Sequence, residues 1–232
     1  MKKIFFLAAT LFSVSTSFAQ MPAFQWAKQF IGMDVSAKSI TLDNNGNVFV
    51  TGKTNSTILP LSNPGGTAYF QNTKGGSYDI IMLKFSNAGV LLWSTYYGGS
   101  GVEYGFSIDT DALGNVFVTG TTDSPDLPVS NPSGGAYFQA VKGGGNDIFV
   151  LKFDNTGAPL WATYYGGSGG DYGYSLATDN NGNVFITGLS FGSAMPVLNA
   201  LGGAYFQGTN AGGFDAVILK FNNSGINISL IR

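Results

Sequence analysis

Neither cysteine nor histidine occurs anywhere in this 232-residue chain, and Glu103 is its one glutamate. Without cysteine there is no disulfide and no thiolate, so stability has to come from burial. Without histidine the commonest general base and the commonest metal ligand are missing, which excludes Ser-His-Asp and Cys-His chemistry within the chain. Charge is scarce as well. Only 10% of the residues are Asp, Glu, Lys or Arg, and 11 basic against 13 acidic side chains leave no basic footprint for nucleic acid or an anionic membrane. Beyond the first twenty residues no apolar run is long enough to cross a bilayer.

The run at the start has a different meaning. Lys2-Lys3, the apolar stretch Ile4 to Phe12, and Ser17-Phe18-Ala19 before Gln20 have the pattern of a secretory signal peptide covering 1–19. We therefore expect residues 20–232 to be exported, with no membrane insertion after cleavage. With 34 glycines and 14% aromatic residues, that part reads as turn-rich and all-β, with no linker or second domain.

What the chain has in abundance is repetition. Gly46-Asn47-Val48-Phe49-Val50-Thr51-Gly52 returns at Gly114 to Gly120 and again at Gly182 to Gly188, a step of 68 residues. Leu59-Pro60, Leu127-Pro128 and Met195-Pro196 keep that step, as do Ala68-Tyr69-Phe70-Gln71, Ala136 to Gln139 and Ala204 to Gln207. Asp79, Asp147 and Asp215 each precede an apolar run that ends in Lys-Phe. The copies span about 26–92, 93–160 and 161–232. Each contains four β-prone stretches; in the first these lie near 36–42, 47–54, 80–85 and 91–97.

Ile148 to Leu151 is apolar without alternation, as are Ile80 to Leu83 and Ala216 to Leu219, so these strands need cover on both faces. Four-stranded units stacked face to face describe propeller blades. A β-solenoid would need a shorter period. The expected fold is all-β, with three antiparallel four-stranded blades in an incomplete or open propeller.

The motifs Asp-x-x-Gly-Asn-Val-Phe-Val-Thr-Gly, Leu-Pro, Asp-Ile-Phe-Val-Leu-Lys-Phe and Trp-x-Thr-Tyr-Tyr-Gly-Gly-Ser-Gly resemble the SBBP family of bacterial beta-propeller repeats, over about residues 24 to 225. The resemblance implies an exported or surface bacterial protein (extracellular, cell-surface or periplasmic) and no settled catalytic activity. It implies that such blades accompany other modules, whereas here there are three units. Propellers generally have about four to eight blades, so missing blades at the C-terminal side or self-association into a six-bladed ring are both expected routes to closure.

Strand direction places the loops after the second and fourth strand of each unit on one face, and loops on a rigid scaffold carry function. The candidate ligand-binding residues on that face are Tyr97, Glu103, Tyr104, Tyr165, Asp171 and Tyr172, for a protein or glycan partner. Because the same aromatics recur in every copy, packing between blades is the competing reading. Glu103 and Asp171 read as solvent-exposed turn residues, or alternatively as carboxylates of a glycosidase or lyase on extracellular polysaccharide, which needs two positioned acids. Asp109 and Asp111, in a turn superficially like a calcium loop, are weak metal candidates. No acidic twelfth residue follows, and Asp and Asn make such turns unaided. Nothing calls for a cofactor.

Overall fold

The structure is a computed structural model that describes residues 25–30, 34–198, 207–209 and 212–231. The expected signal peptide and most of the Ala204 to Gln207 motif lie outside the described residues.

The 68-residue period becomes three separate antiparallel sheets, each with its strands in sequence order. The first holds β1 (Val35–Leu42), β2 (Val48–Thr54), β3 (Asp79–Phe85) and β4 (Leu91–Tyr97). The second holds β5 (Glu103–Thr110), β6 (Val116–Thr122), β7 (Asp147–Phe153) and β8 (Pro159–Tyr165). The third holds β9 (Asp171–Thr178), β10 (Val184–Phe191), β11 (Phe214–Phe221) and β12 (Asn227–Ile231). No helix occurs among the described residues, and the three blades form an open arc. The sequence copies that start near Trp26, Trp93 and Trp161 are out of phase with the sheets by one strand, since Trp93 and Trp161 sit on the fourth strand of a blade.

Short polar turns join the first strand to the second. The Asp111 carboxylate accepts the Leu113 and Asn115 N–H groups, both at 2.9 Å, and the Asn115 side-chain amide at 2.7 Å. Gly114 supplies the positive φ of 80° that closes the turn. Asp43 and Asp179 repeat this arrangement.

The unbroken apolar run of β7 is explained by two neighbours. Phe149, Leu151 and Phe153 face the first blade, joining Phe49, Ile80, Met82, Trp93 and Tyr97 in one core. Ile148 and Val150 face the third, joining Val184, Ile186, Leu219 and Phe221 in a second. At the inner edge of the arc β5 touches both β1 and β9. This approach needs small residues: a Cβ at Gly105 would meet Thr51 Oγ1 at 2.6 Å, and one at Gly173 would meet Thr119 Oγ1 at 2.6 Å.

The long loops after the second strands do not spread over the loop-rich face. They run back along the outer edge and bridge to the fourth strand, Ser62 to Ser94 and Gln71 to Tyr96 in the first blade, Ser130 to Ala162 and Gln139 to Tyr164 in the second. Covering an edge strand in this way removes a row of unpaired backbone groups that would otherwise recruit another chain.

A candidate ligand-binding surface

Of the six residues singled out in the sequence, the structure leaves two within reach of a ligand. Tyr97 and Tyr165 are buried, and their hydroxyls donate to the carbonyls of Pro128 and Pro196 in the following blade. Burial pushes both phenols above their ordinary pKa. They are inter-blade pegs, with Tyr69 and Tyr137 packed on them at ring distances of 4.7 Å. In the first two copies the tyrosine of the Ala-Tyr-Phe-Gln motif is therefore an anchor.

Glu103 and Asp171 were expected in solvent and are instead fully buried. Each begins the first strand of a blade and faces an aspartate, Asp79 or Asp147, that begins the third strand of the preceding one. Between Glu103 and Asp79 runs Gly98, where a Cβ would lie 2.5 Å from Glu103 Oε2 and 2.7 Å from Asp79 Cγ. Glu103 accepts from Thr122 Oγ1 at 2.7 Å, from the Ser124 hydroxyl and from Gly99 N–H at 3.1 Å. Asp79 accepts from Gly75 and Gly76 N–H and from the Gln71 amide. Burial raises the pKa of both groups, and these hydrogen bonds oppose it. In the second pair, burial and then the charge of Asp171 push Asp147 up to about 6. A substrate meets neither pair without parting two blades, so they are seam groups and not an accessible carboxylate dyad.

The metal candidates are committed too. Asp111 caps its own turn, and Asp109 ties three blades together, accepting from Thr41 Oγ1 at 3.0 Å and from Thr178 N–H at 2.8 Å. Both oxygens of Asp109 are thereby engaged with protein donors.

What remains exposed and chemically distinctive lies on the inner strands. In each, the pairing of the first strand with the second slips by one residue, between Ala37 and Ser39, between Gly105 and Ser107, and opposite Thr187 and Gly188. The residues left unpaired at these bulges are Lys38, Phe106 and Tyr174. A bulge re-aims the side chain that it carries. Tyr174 is 46% exposed, and Phe106 is half-buried.

These two rings meet across the blade boundary at 5.6 Å. Tyr104 lies 6.0 Å from Phe106, Tyr78 lies 5.8 Å from Tyr104, and Tyr172 stacks on Tyr174 at 6.1 Å. The result is a row of five rings, Tyr78, Tyr104, Phe106, Tyr174 and Tyr172. At one end the Lys53 Nζ sits 3.9 Å from the Tyr104 ring centre and 4.7 Å from that of Tyr78. At the other, Asn146 donates to the Tyr172 hydroxyl.

Sequence reasoning reached Tyr104 and Tyr172 but missed Phe106, Tyr174 and Lys53. A signal was present: within an otherwise repetitive unit, the position at 38, 106 and 174 reads Lys, Phe, Tyr. Variation at one place in a repeated scaffold separates a displayed residue from an architectural one.

The fold also agrees with what the sequence matches. The family model described as Beta-propeller repeat covers residues 25–60, 92–128 and 160–192. The chain carries three copies of the beta-propeller repeat. Each match opens on the tryptophan-bearing segment, the same phase as the sequence copies. Two curated proteins are similar at 26% identity, each over 65% of this chain: an uncharacterized WD repeat-containing protein of Acanthamoeba polyphaga mimivirus and the regulatory protein FlaEY of Caulobacter vibrioides. The matched region spans 11% and 15% of their lengths. The first of these is named for a repeat.

Proposed function

We propose that this protein is an exported, non-catalytic beta-propeller repeat module that binds a protein or glycan partner on the aromatic row at the inner edge of its arc. The observation that carries this reading is the five-ring row from Tyr78 to Tyr172, exposed at its centre, assembled from three blades, and built around the position that reads Lys38, Phe106 and Tyr174 in successive copies. Aromatic faces offer a large apolar area with little side-chain entropy to lose, and they stack on the flat C–H faces of sugar rings or on extended peptide. Lys53 and Asn146 add polar contacts at the two ends. The family resemblance and the amino-terminal leader pattern support export.

The test is a glycan array and a pull-down from the producing organism's surface fraction, both run with the wild-type chain and with Phe106→Ala and Tyr174→Ala. Retention that both substitutions abolish supports the reading. Turnover of a polysaccharide that survives both substitutions sinks it.

A further inference from the structure

The segment 25–30 belongs to no sheet, yet it lies where the fourth strand of a blade would lie. Trp26 packs on Phe85 at 5.9 Å, as Trp93 packs on Phe153 at 5.9 Å and Trp161 on Phe221 at 5.2 Å. Each indole also covers one glycine of the blade it packs on, Gly89, Gly157 or Gly225. Trp26 thus takes, against the first blade, the packing position that the fourth-strand tryptophans Trp93 and Trp161 take against the second and third. Trp93 and Trp161 donate to Tyr69 and Tyr137, in the long loop of their own blades, whereas Trp26 donates to Asn87 of the blade beneath it. Beside it an apolar cavity of about 220 Å³ opens between Trp26 and Phe30 and the first-blade residues Val48, Val50, Ile81 and Leu83.

The third blade carries the complementary half. Ile218 takes the place of Met82 and Val150, which are buried against the next blade, and is 43% exposed. Lys84 donates to the carbonyl of Asn155 and Lys152 to that of Asn223, each in the following blade. Its fourth strand, β12, has Ser229 where the others have tryptophan.

We infer that residues 25–30 of one chain add to β11 of a second copy as its fourth strand, in the place of β12, seating the third blade of that copy on the first blade of this one. The exchange is reciprocal. Two three-bladed arcs then close a ring of six, within the range of about four to eight blades that propellers adopt. The interface is the one that the chain already builds twice internally, and the added strand displaces β12, which in the single chain pairs with β11 from Ile218–Ile231 to Phe221–Asn227.

The register is specific. Met82 pairs with Thr95 across β3 and β4, so Ile218 is to pair with Lys28. Because the chain has no cysteine, Lys28→Cys and Ile218→Cys give a clean readout. The mature chain is expected to sediment as a dimer. Mixing the two single-cysteine variants under mild oxidation is expected to yield a disulfide-linked heterodimer, which Val141→Cys, at a distant exposed site, does not form with Lys28→Cys. Ile218→Asp is expected to give a monomer with an unchanged circular dichroism spectrum. A wild-type chain that sediments as a monomer, or a dimer in which Lys28→Cys and Ile218→Cys link no better than the control, overturns the proposal. Neither outcome bears on ligand binding by the aromatic row, which is read separately.

Discussion

Asp109 on β5 and Thr178 on β9, in neighbouring blades, are joined twice: one carboxylate oxygen accepts both the Thr178 N–H at 2.8 Å and its hydroxyl at 3.0 Å. The other oxygen reaches back to Thr41 of the first blade. Removing the shared acceptor leaves donors of both neighbours unmatched at the inner edge. Asp109→Ala is expected to cost about 1–3 kcal/mol in urea unfolding. EDTA is expected to leave the melting temperature of the wild type unchanged, since an ion held by the native state alone would raise it by mass action. A drop of several degrees on chelation would show that Asp109 or Asp111 serves a cation after all.

The buried seam carboxylates make a prediction about pH. Asp147 titrates at about 6 in the folded chain, against an ordinary value of 3.8. Between those values the native state holds more protons than the unfolded state, so this contribution to stability falls as pH rises through the window, and the penalty is complete above about pH 6. Asp43 and Asp154 act with the opposite sign: burial raises their pKa, but the hydrogen bonds they accept win and hold both below the ordinary value. The informative quantity is therefore the difference between wild type and Asp147→Asn. Relative to that variant, the wild type is expected to gain a few degrees of melting temperature between pH 7 and pH 4. Parallel melting curves across that range would show that Asp147 is ionised throughout.

Glycine at the inner strands is a packing requirement. Gly173→Ala places a methyl group 2.6 Å from Thr119 Oγ1 and 2.9 Å from an Ile148 methyl, and in a close-packed seam this is expected to cost about 1–3 kcal/mol or more. Gly134, by contrast, has nothing within 4 Å of its would-be Cβ and only a positive φ of 73° to lose. Its alanine variant is expected to cost about 1 kcal/mol. Equal costs for the two changes would mean that the blades are not pressed together at β9.

The aromatic residues divide into two sets with opposite expected phenotypes. Phe106→Ala and Tyr174→Ala are expected to remove binding with a small loss of stability, because both rings are partly in solvent. Tyr97→Ala and Tyr165→Ala, at 2% and 0% exposure, are expected to cost about 3–5 kcal/mol. Tyr97→Phe, which gives up only the hydroxyl bonded to Pro128, is expected to lose about 1 kcal/mol. Thermal melts alongside binding assays separate the sets. Full affinity in the Phe106 and Tyr174 variants would move the binding surface elsewhere.

Much of the architecture was written into the sequence. A step of 68 residues, an apolar run with no alternation before each Lys-Phe, and an Asp-x-x-Gly turn in every copy led to four-stranded blades covered on both faces. In the first blade, strands expected near 36–42, 47–54, 80–85 and 91–97 lie at 35–42, 48–54, 79–85 and 91–97. Such features are local: strand propensity, turn chemistry and period depend on neighbours in the chain, and a repeat states them three times over.

What the tertiary structure decided involves residues far apart in sequence. That Glu103 is buried follows from where Asp79, Gly98 and Ser124 converge, and no reading of Glu103 beside Tyr104 distinguishes a seam from a surface. The bulges that turn Phe106 and Tyr174 outward arise from a slip in pairing with the second strand, which composition does not record. The long loops became edge covers because the fourth strand offered unpaired backbone groups that had to be satisfied. Sequence set the blades and their order, since those rest on local and periodic chemistry. Contact between blades chose which side chains were left for a partner, since exposure belongs to the assembled surface and not to any one segment.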